Sequence, residues 1–345
     1  MASDRINGKV FLKNHCNMSK KPQLAFTGNT AEEFNKWQEE TVKKLENILC
    51  FDKIKDCELS SEKVEVVDDL KTSKGFEYSR TLLNIDTADG LTMPVYMLTP
   101  KQSNQGIPAI AVHCHGSDGK NGMVGIIGKE LENNSGRFSF TYALELLEKG
   151  YTVFCPDILG SGSRKSIRID QLKESDCNIL NFTLMASGLN LQGIITWELK
   201  KLIDYISTLG LDMEKLICVG FSSGGLQTLW LTAMDKRIKT AYVSGYFHSL
   251  KVTLLQSNFC GCNFINDLWN IIDMDILAEL AAPAKLYVET GKNDKLNGDD
   301  DLENVYELVD RVKDIYGKFF NAEDFKFAVC DGAHRWFGYF MNDIR

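Results

Sequence analysis

The spacing of apolar residues changes character twice along this chain. Between Thr30 and Phe51, the residues Phe34, Trp37, Val42, Leu45, Ile48 and Leu49 recur at approximately helical intervals. Thr30 and Glu33 stand where a capping box would open that helix. Past about residue 60, shorter runs take over. Phe76–Ile85 and Leu91–Leu98 carry β-branched and aromatic residues on either side of the turn-rich Asp86-Thr-Ala-Asp-Gly90, a pattern that predicts a hairpin. After Pro100, strand-like and helix-like segments alternate. Pro108–Cys114 is a nearly continuous apolar run, as a strand covered on both faces requires. Further strands are predicted at Tyr151–Cys155, Leu216–Gly220, Thr240–Ser244, Ala284–Glu289 and Phe325–Val329. Helices are predicted at Tyr142–Glu148, Leu191–Leu209, from Ser223 onward, near Leu302–Ile315 and after His334.

Alternation of this kind builds a mostly parallel sheet with helices on both faces. It predicts an α/β protein in which residues 1–60 form a helical N-terminal extension and residues 61–345 the main domain. In such sheets the chemistry lies beyond the carboxyl ends of the strands. Two connections, near residues 161–190 and 246–275, are longer than simple links need and read as lid-like insertions. Phe247, Phe259, Phe264 and Trp269 in the second could line a pocket or simply fill core. No internal repeat or low-complexity tract is visible.

Composition narrows the reading further. The 345 residues are 44% hydrophobic and 25% charged, ordinary values for a globular chain with a substantial core. A formal charge of −8 argues against a nucleic-acid partner, because phosphate binding needs a basic surface. The first residues lack an apolar leader, and no uncharged apolar run reaches the roughly 18 residues of a membrane helix, so a cytoplasmic protein without a membrane partner is expected. The ten cysteines are therefore read as reduced and mostly buried. Cys260-Gly-Cys262 is the one close pair. It would need two further ligands to hold a metal, and no second pair stands at finger-like spacing, so it is read as structural.

The sharpest chemical signal is Gly220-Phe221-Ser222-Ser223-Gly224-Gly225, placed between an apolar strand and a helix-forming run. A serine hydroxyl is a weak nucleophile unless it is exposed, oriented and next to a base. A sharp strand-to-helix turn flanked by small residues provides that exposure. Ser222 is the candidate nucleophile; the alternative is an ordinary glycine-rich turn holding a phosphate. Of the five histidines, His248 and His334 follow Ser222, and His334 leaves room for an intervening carboxylate at a strand end. Asp294, in Glu289-Thr-Gly-Lys-Asn-Asp294, is the candidate orienting acid, with Glu289 as the other possibility. Asp299, Asp300 and Asp301 read as a cap for the next helix. The oxyanion of an acyl-transfer intermediate needs donors. The main-chain N–H groups of Ser223 and of Ser117, or of the adjacent Gly116, are the candidates. His113 and His115 share an H-x-H spacing, but no third ligand stands at a matching position in the sequence, so no metal site is assigned.

The combination of His113-Cys-His-Gly-Ser-Asp-Gly119, the Gly220–Gly225 motif, Val288-Glu-Thr-Gly-Lys-Asn-Asp294 and Asp331-Gly-Ala-His334 resembles α/β-hydrolases of the dienelactone-hydrolase and acetyl-xylan-esterase group. The resemblance runs from about Phe76 to the C-terminus, and the stretch with Phe34, Trp37 and Leu45 is similar to the helical lead-in of some members. It implies an α/β-hydrolase fold and a serine triad of Ser222, Asp294 and His334. Dienelactone hydrolases use a cysteine nucleophile; the serine here favours ester cleavage, with a small-molecule ester as partner and no cofactor. The same groups would serve a peptidase of the prolyl-oligopeptidase kind or an acyltransferase, although the chain has no room for a propeller. A non-catalytic binding protein on this fold is the alternative from another class. Oligomeric state is not legible.

Overall fold

A computed structural model describes residues 8, 10–11, 21–102, 105–115, 118–126, 140–165, 176–251, 253 and 260–344. Its centre is a nine-stranded sheet. The strands are β1 (Ser61–Lys71), β2 (Glu77–Ala88), β3 (Leu91–Pro100), β4 (Pro108–Val112), β5 (Thr152–Pro156), β6 (Ile217–Phe221), β7 (Thr240–Ser244), β8 (Lys285–Gly291) and β9 (Phe325–Cys330), in the order β1-β2-β3-β5-β4-β6-β7-β8-β9. β1 to β3 run antiparallel, β3 meets β5 antiparallel, and β5 through β9 are parallel. The larger helices are α1 (Ala31–Ile48), α2 (Tyr142–Glu148), α3 (Asp176–Ala186), α4 (Leu191–Ser207), α5 (Ser223–Met234), α6 (Met274–Ala281) and α7 (Glu303–Phe319). This is the α/β-hydrolase fold.

The parallel strands are buried on both faces, and their alternation assigns residues to two cores. Ile110, Val112, Phe154, Cys218, Val243 and Val288 enter one, packed with α1, α4, α5, α6 and α7. Ala109, Ala111, Val153, Val219, Tyr242 and Tyr287 enter the other, closed by α2 and by Phe340, Met341 and Ile344 near the C-terminus. The period of two thus places successive side chains in opposite layers.

Helix α1 begins where the capping box predicts: the Thr30 hydroxyl accepts from the Glu33 N–H at 3.2 Å, and the Glu33 carboxylate accepts from the Thr30 N–H at 3.0 Å. Phe34 and Leu45 are buried, and the Gln38 amide donates to the Ala282 carbonyl at 2.8 Å, which joins α1 to the end of α6. Two local readings need correction. β1 escapes the pattern analysis because it is an edge strand exposed along most of its length, so no buried face imposes a period. The helix expected after His334 does not form; residues 331–344 run as bends and turns. There the N–H groups of Phe337, Gly338 and Tyr339 donate to the carboxylate of Glu289 instead of to an intrahelical ladder.

No single helix among the described residues is long and apolar enough to cross a membrane. Helices α3 and α4 reach that length and composition only when taken together, across a 101° bend.

Candidate active site

β6 ends in a turn that reverses direction within one residue. Ser222 has φ 56° and ψ −124°, a region that a residue with a Cβ seldom occupies, and α5 starts immediately after it. Such strain persists only where the surroundings impose it. The Ser222 N–H donates to the Ser244 carbonyl at 2.8 Å, and the glycines around it permit contacts no other residue allows. A Cβ on Gly224 would lie 2.1 Å from the Val112 carbonyl oxygen at the end of β4, and one on Gly220 would lie 2.1 Å from the Gly224 carbonyl oxygen. These close approaches draw the N-terminus of α5 against the carboxyl ends of the strands and present the Ser222 hydroxyl outward.

The next two groups come from the loops after β8 and β9. Those loops are tied together by backbone bonds from Lys292 N–H to the Cys330 carbonyl (2.9 Å) and from Asn293 N–H to the Gly332 carbonyl (2.8 Å). Asp294 and His334 therefore face each other. His334 Nδ1 lies 2.7 Å from Asp294 Oδ2, and Nε2 lies 2.8 Å from Ser222 Oγ. With Asp294 ionised, Nδ1 carries the proton and Nε2 is left to accept from the hydroxyl; the tautomer is assigned from this network. Asp294 is held in turn by the Leu296 N–H at 3.0 Å, and its side chain is 1% exposed against 32% for His334. The Phe221 ring packs on the imidazole with centroids 4.7 Å apart and stacks on Phe140 at 5.3 Å. The arrangement can pass a proton from a serine hydroxyl to an imidazole whose positive charge a buried carboxylate then stabilises.

Of the candidate oxyanion donors, Ser223 is the first residue of α5 and is buried. Ser117 and Gly116 lie outside the described residues. Glu289, the other acid considered, is fully buried in β8 and turned away from this use. It accepts from Tyr242 Oη, from Ser244 Oγ at 2.6 Å and from three backbone N–H groups between 2.9 and 3.2 Å. The N-cap of α7 is Leu302 and none of the three aspartates, although Asp300 accepts from the Asn304 N–H at 3.2 Å and from its amide at 2.8 Å in the first turn.

The histidines of the H-x-H pair part company because β4 ends at Val112, before either. His113 is buried; its Nδ1–H donates to the Cys114 carbonyl and its Nε2 accepts from the Ile158 N–H, both at 3.0 Å. Burial pushes its pKa down and keeps the ring neutral. His115 instead reaches a group of cysteines, and Cys260 and Cys262 do have neighbours in space. His115, Cys177, Cys260 and Cys262 place their ligand atoms all within 4.8 Å of one another. Helix α3 and the segment around residue 264 meet here, since Asn181 Nδ2 also donates to the Phe264 carbonyl at 3.0 Å. Phe247 is core, Trp269 packs against it, Phe264 is exposed, and Phe259 lies outside the described residues.

Sequence reasoning also passed over two buried charge groups beside the site. Asp157, just past β5, pairs with Lys120 Nζ at 2.6 Å and accepts from the Lys120 N–H at 2.7 Å and Ser163 Oγ at 2.6 Å. Burial opposes its ionisation, but the Lys120 ammonium and backbone N–H hold its pKa below the usual carboxylate value. Arg164 meets Glu198 through two 2.8 Å bonds, and Glu198 also accepts from Thr87 Oγ1. These pairs fasten the loops after β4 and β5. The only signal in the sequence was a lone Asp after a strand and a lone Glu on an apolar helix. A cleft of about 980 Å³ between the segment 21–29, α6 and α7 contains none of the residues of the serine site.

Comparison with known proteins agrees with the fold. The family described as alpha/beta hydrolase fold matches residues 125–257. YtaP of Bacillus subtilis (strain 168), provisionally designated a hydrolase, is 26% identical over 148 residues; the match covers 42% of this chain and 46%, less than half, of that protein. A crystal structure from Bacteroides fragilis, provisionally designated an acetyl xylan esterase, superposes with a TM-score of 0.74 at 16% identity, over 93% of this chain and 81% of that one. A glucuronoyl esterase from Solibacter usitatus superposes with a TM-score of 0.65 at 14% identity, over 94% of each chain. At such identities the superpositions establish the shared fold.

Proposed function

We propose that this protein is a serine hydrolase that cleaves carboxylic esters through an acyl-enzyme on Ser222. The observation that carries the reading is the unbroken chain from Ser222 Oγ through both ring nitrogens of His334 to Asp294, built on a turn that holds Ser222 at positive φ. His334 Nε2 takes the hydroxyl proton as Ser222 Oγ attacks the ester carbonyl. Asp294 keeps Nδ1 protonated and stabilises the imidazolium. The Ser223 N–H, with a second donor from Ser117 or Gly116, receives the developing oxyanion. The C–O bond to the alcohol breaks as His334 returns its proton to the leaving oxygen. Water, deprotonated by His334, then attacks the acyl carbonyl, and the bond to Ser222 Oγ breaks as His334 returns the proton to that oxygen and the acid leaves. Short acyl groups on a small molecule or a sugar are the proposed substrates. The likeness in fold to the proteins designated acetyl xylan and glucuronoyl esterases supports this class.

The test is hydrolysis of p-nitrophenyl esters of increasing acyl length by the native protein and by Ser222→Ala. Acetate or butyrate release should fall by at least about 10⁴-fold in the variant. Equal turnover by the two proteins, or none by either at any chain length, would sink the assignment.

A further inference from the structure

The cysteines around residue 260 carry an inference that the serine site does not require. His115 follows β4, Cys177 lies in the first turn of α3, and Cys260 and Cys262 flank Gly261 at a short helical turn. Three segments remote in sequence thus bring three thiols and one imidazole to one point, with every ligand atom within 4.8 Å of the others. A tetrahedral zinc ion, with Zn–S near 2.3 Å and Zn–N near 2.0–2.1 Å, sets sulfur–sulfur edges of about 3.8 Å and sulfur–nitrogen edges of about 3.6 Å. Cys262 Sγ and His115 Nε2 are 3.7 Å apart. None of the three cysteines is in a disulfide.

The surroundings are built to support sulfur acceptors. The Cys262 N–H is aimed at Cys177 Sγ at 3.3 Å, the sort of bond that steadies metal thiolates. Asn263 Nδ2 lies 3.7 Å from Cys262 Sγ, and Asn178 Oδ1 accepts the Gly261 N–H at 2.6 Å. Gly261 is required for this closeness, since a Cβ there would lie 2.9 Å from Asn178 Cα and 3.0 Å from the Cys177 carbonyl oxygen. Ordinary core cysteines pack their sulfurs against hydrocarbon; these face one another.

We propose that His115, Cys177, Cys260 and Cys262 bind one structural Zn²⁺ ion. Three S–H protons pass to solvent as three Zn–S bonds form, and His115 adds a Zn–N bond through neutral Nε2. Four protein donors fill the tetrahedron and leave no position for water or substrate, the hallmark of a structural site. Soft thiolate and imidazole donors select zinc over oxygen-seeking cations. The ion would clamp the two insertions to the segment that leads from β4 into Gly116 and Ser117. His115, Cys177 and Ser223 line one small cavity, so the clamp abuts the start of α5.

The full chain, purified under reducing conditions from zinc-containing medium, should retain about one zinc per molecule by elemental mass spectrometry after extensive desalting. Replacement by Co²⁺ should produce thiolate-to-cobalt charge-transfer bands and the visible bands of tetrahedral cobalt. Cys260→Ser, at a half-exposed position, should lower zinc affinity at least tenfold while circular dichroism shows a folded chain, and Cys330→Ser should keep its zinc. Cys262→Ala gives a second reading should the first variant misfold. The proposal falls if the reduced native protein takes up no zinc from added Zn²⁺. It falls equally if these cysteines are isolated as a disulfide, or if both variants bind zinc as the native chain does.

Discussion

Glu289, near the end of β8, and Asp294, in the loop that follows it, are both buried carboxylates, yet their surroundings are opposite. Glu289 is enclosed by five donors, two side-chain hydroxyls and three backbone N–H groups. Its lone pairs are committed, and what it orders is the C-terminal segment: it supplies the acceptor that the N–H groups of residues 337–339 would find in a helix. Asp294 has a backbone donor on one oxygen and His334 on the other. It is free to respond when the imidazole gains a proton. A carboxylate saturated by fixed donors works as a structural anchor, and one that shares its charge with a single imidazole is suited to proton transfer.

The comparison can be broken by exchanging each charge for an amide. Asp294→Asn should lower ester turnover by about 10³- to 10⁴-fold, because the amide no longer enforces the Nδ1–H tautomer. Unfolding free energy from urea titration should change by no more than about 1 kcal/mol. Glu289→Gln should do the reverse. With one acceptor oxygen and an NH₂ facing fixed donors, the amide should cost about 2–4 kcal/mol in urea titration. Turnover per folded molecule should stay within about tenfold of the native value, since no hydrogen bond to His334 is lost. A stable Glu289→Gln protein with collapsed turnover would exchange the two roles. Tyr242→Phe sharpens the same contrast at smaller scale. It removes one donor to Glu289 and the acceptor of the Phe340 N–H, which lies 3.1 Å from the phenol oxygen, and should cost about 1–2 kcal/mol.

Legibility followed the range of the interactions involved. The interior strands and most helices stood out because a buried strand or an amphipathic helix writes its environment into a local period. The fourteen-residue reach from Val112 to Gly125, by contrast, shows no period that would reveal the Asp157–Lys120 pair. β1 lacked a buried face to report. The segment after His334 has a helix-like composition, but Glu289, far away in the chain, captures its N–H groups.

The sequence by itself determined the alternating fold, the capped N-terminal helix and the elbow at Ser222, since each depends on neighbours a few residues apart. It also nominated His334 and Asp294 through their places after successive strand ends. Only the tertiary structure decided between Glu289 in β8 and Asp294 after it as neighbour of His334, because parallel pairing and loop-to-loop hydrogen bonds set which one meets the ring. Only the tertiary structure brought Cys177 and His115 to Cys260 and Cys262. Those residues share no motif, and their proximity follows from three segments remote in sequence meeting beside the end of β4.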